Sequence, residues 1–323
     1  MTAPAAPLYR AEYARRMNRV LDYIDAHLDQ PLDSARLADV AHFSRFHFHR
    51  IFLAWTGETP AHYARRRRLE KAAFRLSCAT VESVLDTALS TGFGSGEAFA
   101  RAFKRKFGAT PTAWRHATPA RLAQQAHAIG RRVRFQSNPD QPHSKADQIA
   151  PRTIADHGLS VRLRDIAMNV NIIDLPDTRV AYHRLVGPYG PGIGTFWRGT
   201  VLPWIRAHGL DGAHCYGVGH DDPTITPPHQ CRYDACVEIA GPLASGAPLS
   251  LTDLPGGRYA VAAFRGPPAG LADAWMWLTR DWLPASGFQC DERPCFERFE
   301  TGSALDGAAG QVVCELCIPV RPL

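Results

Sequence analysis

The chain of 323 residues has few lysines, few methionines and no long apolar run. Four lysines stand against 33 arginines, a bias that a GC-rich genome explains as readily as function. An arginine cluster therefore counts for little by itself. Without an apolar run near the roughly 18 residues of a membrane helix, no membrane span is expected. Met1 to Arg10 lack an apolar segment, so no secretory signal is expected, and the location implied is cytoplasmic. Charged residues make up 21% and apolar ones 45%, which argues against a disordered or fibrous chain. The length suits about two domains.

Charge is unevenly placed. Residues 1–135 hold 22 Lys and Arg against 11 Asp and Glu, net +11, while the remainder nets −5. A basic first part beside an acidic second part points to a polyanionic partner for the first part only.

Three regions separate. Residues 10–116 show helix-type spacing, residues 117–165 are polar and proline-containing and read as a linker, and residues 166–321 alternate β-rich runs with Gly/Pro turns. In the first region Met17, Val20, Leu21, Ile24 and Leu28 fall on one helical face, and Asp33 or Ser34 can cap a second helix through Leu37 and Val40. An internal echo follows. Ser44, Arg50, Phe52, Gly57 and Pro60 recur 51 residues on as Ser95, Arg101, Phe103, Gly108 and Pro111. Ala38/Ala88 and Phe43/Phe93 extend the match at a spacing of 50. Small-residue helix, tight turn, Ser-capped helix and Gly stop, given twice, read as a duplicated helix-turn-helix joined by one helix over 59–78.

Residues 10–116 resemble the DNA-binding domain of the AraC/XylS family of bacterial transcription regulators. The match is carried by SRFHFHRIFLAWTGETPAHYARRRRLEKA and GFGSGEAFARAFKRKFGATPTAWR. The resemblance implies two recognition helices, 44–54 and 95–106, entering successive major grooves. Phe48, Ile51 and Phe52, like Phe99 and Phe103, repeat at helical spacing and are expected in the core. By resemblance Phe46, His49, Arg50, Gly96, Glu97 and Arg101 face DNA. Arginine suits guanine O6 and N7, and Glu97 can accept from cytosine N4. Arg65 to Arg68, Lys104, Arg105 and Lys106 would add phosphate contacts, the alternative being a solvated helix face. His42, His47 and His49 tempt a metal reading, but His47 and His49 point different ways, and no metal or cofactor is expected.

The last region repeats as well. Asp174, Leu175, Pro176, Arg179, Gly187 and Pro188 recur 79 residues later as Asp253, Leu254, Pro255, Arg258, Gly266 and Pro267. Trp197/Trp275 and Trp204/Trp282 follow at 78, Cys215/Cys295 and Tyr216/Phe296 at 80, and residues 233–239 lie over 314–320 at 81. The fold expected is thus multidomain. An all-α domain with two helix-turn-helix units precedes an α+β domain built from a duplicated strand-strand-helix-strand-strand unit, with a groove between its halves. Cys314 and Cys317 form a C-x-x-C, yet positions i and i+3 on a strand point to opposite faces, so core thiols are expected rather than a metal site.

Residues 166–321 resemble the GyrI-like small-molecule-binding domain, on CRYD (231–234), RPCFERF (293–299) and CELCIP (314–319). The resemblance implies an aromatic-lined cleft whose acid pairs with cationic, lipophilic ligands. Glu315 matches that acid, Glu297 is a second candidate, and Trp197, Trp275, Trp277, Tyr189, Tyr216 and Phe296 are candidate walls. The repeat maps Asp234 onto Glu315, suggesting one carboxylate per half. Arg179 and Arg258 are read as structural.

The two resemblances imply a non-enzymatic regulator that binds double-stranded promoter DNA and a small-molecule effector, with RNA polymerase as a further partner and no membrane. Two rival readings are a C-terminal domain that binds a protein, and a hydrolase of small electrophiles with Glu315 or Glu297 as base and Tyr233 or Tyr216 as partner.

Overall fold

The computed structural model describes residues 6–78, 82–118, 168–241, 250–299 and 311–323. The linker expected over 117–165 lies outside the described residues beyond Thr118.

The described residues open with α1 (Ala6–Ala26), α2 (Ser34–Ala41), α3 (Arg45–Thr56), α4 (Pro60–Cys78), α5 (Val84–Ser90) and α6 (Gly96–Phe107), and residues 111–118 are helical as well. The apolar face read on α1 is buried throughout and packs with Leu37, Phe48 and Phe52 in one small core. Leu69, Ala72, Leu76, Phe99, Phe103 and Trp114 make the second. Helices α2–α3 and α5–α6 are the duplicated units and α4 joins them. Gly57 and Gly108 end α3 and α6 in the same way. Each is left-handed, at φ 76° and 74°, and returns its N–H to the carbonyl four residues back. A side chain is strained at that φ, which accounts for the glycine at both ends. The N-termini differ. Ser95 accepts from the Ala98 N–H, as expected of a cap. Ser44 makes no capping bond, because its hydroxyl is engaged by His47 Nδ1 at 2.9 Å.

Nine strands follow among the described residues: β1 (Val170–Leu175), β2 (Thr178–Val186), β3 (Cys215–Gly219), β4 (Arg232–Glu238), β5 (Ser250–Leu254), β6 (Gly257–Gly266), β7 (Phe288–Cys290), β8 (Phe296–Phe299) and β9 (Val312–Pro322). They form an antiparallel sheet in the order β1-β6-β9-β8-β3-β4-β2-β5, with β7 paired to β9. The sequence repeat equates β1 with β5, β2 with β6, β3 with β8 and β4 with β9. The sheet order is therefore a palindrome, and its pseudo-twofold passes between β8 and β3. Each half lends its first strand to the edge of the other.

Two helical stretches, 191–207 and 271–285, cover one face of the sheet. Trp197, Val201, Ile205, Ala274 and Leu278 from them join Ala235, Leu316 and Ile318 from the strands in the main core. Each stretch contains a π-helical segment, Trp197–Val201 and Leu278–Trp282. Pro203 and Pro284 follow directly and bring no N–H, so the ladder shifts to an i→i+5 bond, Leu202 to Trp197 and Leu283 to Leu278. A second core occupies the other face, with Tyr182, Tyr216, Cys236, Tyr259, Phe296 and Cys317. Cys314 and Cys317 thus lie on opposite faces, and every described cysteine except Cys78, whose side chain is not described, is a free thiol.

Candidate functional site

The carboxyl of Glu297 lies on the face covered by the two helical stretches, beside the pseudo-twofold. Its strand neighbour across the ladder is Gly217. A methyl group at Gly217 would overlap the Tyr233 hydroxyl and crowd Glu297, so glycine there makes room for both. Trp275 Nε1 donates to Glu297 Oε1 at 3.2 Å, and the Tyr233 hydroxyl donates to Oε2 at 3.3 Å. Trp197 Nε1 in turn donates to the Tyr233 oxygen at 3.1 Å. Both carboxyl oxygens are therefore held by neutral donors. Burial raises the Glu297 carboxyl to about 7, against the smaller lowering effect of those two bonds; among the described residues no cationic group contributes. An acid neighbouring three aromatic side chains, with no cation among the described residues, is an incompletely compensated charge.

The other expected cleft residues divide between the faces. Trp197 is 1% exposed and Trp275 half-buried, both beside Glu297. Tyr189 is half-buried with its ring edge-on to Tyr233 at 6.4 Å. Glu315 lies on the opposite face, where Arg298 Nε and Nη2 both reach Oε2 at 2.5 Å. Phe296 is on that face too, packed against Tyr216 and Tyr259. A cavity of about 240 Å³ opens there, lined by the repeat pairs Leu175/Leu254 and Tyr216/Phe296 with Glu238 and Arg298. Asp234, the repeat mate of Glu315, is buried on this second face between Arg184 and His220. One carboxylate per half thus lies on this second face, each already paired with an arginine. The repeat pair has turned both acids away from the helices, and Glu297 has no acidic mate because its counterpart is Gly217.

On the helical domain, His49 and Arg50 of α3 and Glu97 and Arg101 of α6 are exposed, and neither arginine is in an ion pair with another described residue. Gly96 is half-buried against Leu85. The Phe46 side chain lies outside what is described. Lys104 and Arg105 are exposed, and Lys106 pairs with Glu70 at 2.9 Å. The arginine run on α4 departs from the expected phosphate-binding face. Only Arg65 is exposed. Arg66 bonds Glu58 and Glu70, Arg67 bonds Asp25, Glu70 and Asp221, and Arg68 donates to the carbonyls of Leu28 and Gln30. Glu70 is a local partner, at i+4 from Arg66 and i+3 from Arg67, but Asp25 and Asp221 lie 42 and 154 residues from Arg67, where no local pattern reveals the pairing.

Residues 37–117 match a helix-turn-helix domain model, and residues 168–321 match the GyrI-like small molecule binding domain. Among curated relatives, the regulatory protein SoxS of Salmonella typhimurium is 36% identical over 97 residues, covering 30% of this chain and 90% of SoxS. The uncharacterized HTH-type transcriptional regulator YbfP of Bacillus subtilis is 38% identical over 103 residues, 32% of this chain; the chain spans about a third (35%) of YbfP. Among solved structures, the DNA-binding domain of AdpA in complex with a target DNA shares 33% identity over 33% of this chain and 96% of that one, with a TM-score of 0.31. Double helix-turn-helix, joining helix and covered palindromic sheet place this chain in the AraC family of transcriptional regulators, with a GyrI-like small-molecule-binding domain as its C-terminal half.

Proposed function

We propose that the chain is a one-component regulator that reads promoter DNA through α3 and α6 and senses an aromatic or lipophilic cation at Glu297. On the DNA side, His49, Arg50, Glu97 and Arg101 reach base edges, with Phe46 and Gly96 at the same surface. Arg65, Lys104 and Arg105 meet phosphates. A promoter-bound regulator brings RNA polymerase in as a further partner.

The observation that carries the ligand reading is the Glu297 carboxyl itself. It is held by Trp275 and Tyr233, neither of which can neutralise it, whereas Asp25, Asp221, Asp234 and Glu315 each have an arginine. A cation entering between Trp275 and Trp197 supplies the missing charge, and the indole faces add cation–π attraction. The test is a tryptophan-fluorescence titration with a series from benzyltrimethylammonium to tetraphenylphosphonium. Glu297→Gln is expected to weaken binding at least about tenfold, one unit of log K or about 1.4 kcal/mol, and Glu315→Gln to leave it unchanged. The reverse order would return the cleft to Glu315.

One observation favours a second reading. A carboxyl held near 7 beside a tyrosine is also composed as a general base would be. Turnover of small electrophilic esters or epoxides by the purified chain, lost in Glu297→Gln, would establish hydrolysis in place of sensing.

A further inference from the structure

Strand β4 serves two surfaces on alternate residues. Tyr233 points to the cover helices and holds Glu297. Arg232 and Asp234 point the other way, to the helical domain. Arg232 Nη1 reaches Asp25 of α1 at 2.5 Å and Tyr63 of α4 at 3.2 Å. Asp234 holds Arg184 through two bonds of 2.7 Å, and Arg184 Nη1 lies 2.9 Å from Asp22 of α1. Tyr182 donates to the same Asp22 at 2.5 Å.

The segment from Gly219 to Thr226 completes the junction. The Asp221 carboxyl, buried, is bonded by Arg67 of α4 and by Arg232, whose Nε and Nη2 both lie 3.0 Å away. Two arginines hold both Asp221 and Asp25 well below the usual carboxylate range despite burial. Four residues on, Ile225 enters the core of the second helix-turn-helix unit, with Leu69, Ala73, Phe99, Phe103 and Trp114. The C-terminal domain therefore grips α4 by charge and plugs the unit that follows it.

Tyr189 joins this grip to the Tyr233–Glu297 pair. Its hydroxyl donates to the Arg232 carbonyl at 2.7 Å and accepts from the Asp221 N–H at 3.2 Å. Its ring meets the edge of Tyr233. It also directly precedes the first cover stretch, which carries Trp197.

We propose that Tyr189 couples occupancy of the Glu297 cleft to the docking of the C-terminal domain on α4; the inference rests on the cation reading for its trigger, but not for its linkage. A ligand that takes the Glu297 carboxyl displaces the Tyr233 hydroxyl. The Tyr233 ring then presses Tyr189, whose hydroxyl releases the Asp221 N–H and the Arg232 carbonyl. Asp221 leaves Arg67, and Ile225 withdraws with it. With Asp221 gone, Asp25 and Glu70 alone offset the buried Arg67 and Arg232, so the segment switches as a unit rather than by degrees. Helix α4 joins the two DNA-reading units, and its release alters how they are held relative to each other.

The experiment is hydrogen–deuterium exchange on the full chain, without ligand, comparing wild type with Tyr189→Phe. The phenylalanine keeps the ring and removes only the two hydroxyl bonds. Exchange over 219–226 and over 66–73 of α4 is expected to quicken at least about tenfold, while β9 and 271–285 stay as in wild type. Unchanged exchange over α4 overturns the proposal. Should Tyr189→Phe lower the melting temperature broadly, the double variant with Asp221→Asn decides. A shared linkage predicts effects on α4 exchange that do not add, and additive effects overturn it. Benzyltrimethylammonium or tetraphenylphosphonium on wild type forms a separate arm. Failure to bind ends the cation reading and leaves the exchange result standing. Binding that leaves α4 exchange unchanged overturns the coupling.

Discussion

Gly217 of β3 sits opposite Glu297 of β8 in the strand pairing, beside the axis that relates the two halves of the sheet. The space a side chain would fill is taken by the Tyr233 hydroxyl and the Glu297 carboxyl. Gly217→Ala is therefore expected to push both aside. Overpacking of this kind costs about 1–3 kcal/mol of stability, read from denaturant melts. Cation affinity should fall with it, and an alanine variant with unaltered binding would show that the Tyr233–Glu297 arrangement is not what holds the cation.

Glu297 makes stability depend on pH in a definite sense. Its carboxyl is raised from 4.5 to about 7 on folding, so the folded state resists ionising it. The stability this contributes is fully present below about pH 4.5 and is lost as pH rises to 7, after which it is constant. A shift of that size corresponds to roughly 3 kcal/mol. Glu297→Gln removes the group. The variant's stability minus that of wild type should therefore grow by about that amount between pH 4 and pH 8, measured by urea unfolding at each pH. Cation affinity of wild type should tighten over the same window, because the ionised form is the one that binds.

Arginines of α4 and of the recognition helices should behave differently on DNA. Arg50→Ala and Arg101→Ala are each expected to cost about 1–3 kcal/mol on DNA from the gene's own upstream region and little on unrelated DNA. Arg65→Ala should weaken both equally and reduce the salt slope by about 1. Arg67→Ala, placed in the buried network, should instead lower the melting temperature of the chain.

Asp221→Ala removes one of the two carboxylates, Asp221 and Asp25, that Arg67 and Arg232 share in a buried junction. Loss of about 3–5 kcal/mol is expected in the first unfolding transition, the one that separates the domains. A surface ion pair such as Arg179–Asp253, half-exposed or more on both sides, should give under about 1 kcal/mol when broken.

Much of this architecture is legible in the residues. The 51-residue echo placed both helix-turn-helix units because turn, core and stop residues recur together. The second repeat anticipated the palindromic sheet, since equal halves pair most simply about an axis. The repeat also put Asp234 over Glu315 in the correct register. What it lacked was the face. Strand alternation shows that residues 314 and 315 point opposite ways, but not which side the helices cover, and the cover placed Glu297 rather than Glu315 among the tryptophans. The junction was illegible for another reason. Arg67 is explained by Asp25 and Asp221, 42 and 154 residues away in sequence, and pairings at that range leave no local trace.

If one chain links cation binding at Glu297 to DNA reading, the two affinities depend on each other. The most direct measurement is affinity for the upstream DNA with and without saturating tetraphenylphosphonium, in wild type and in Glu297→Gln. A ligand-dependent change of at least about fivefold is expected in wild type, a coupling of about 1 kcal/mol, and none in the variant, whose ligand-free affinity matches wild type. An equal response in both proteins, or no response in wild type, would contradict it.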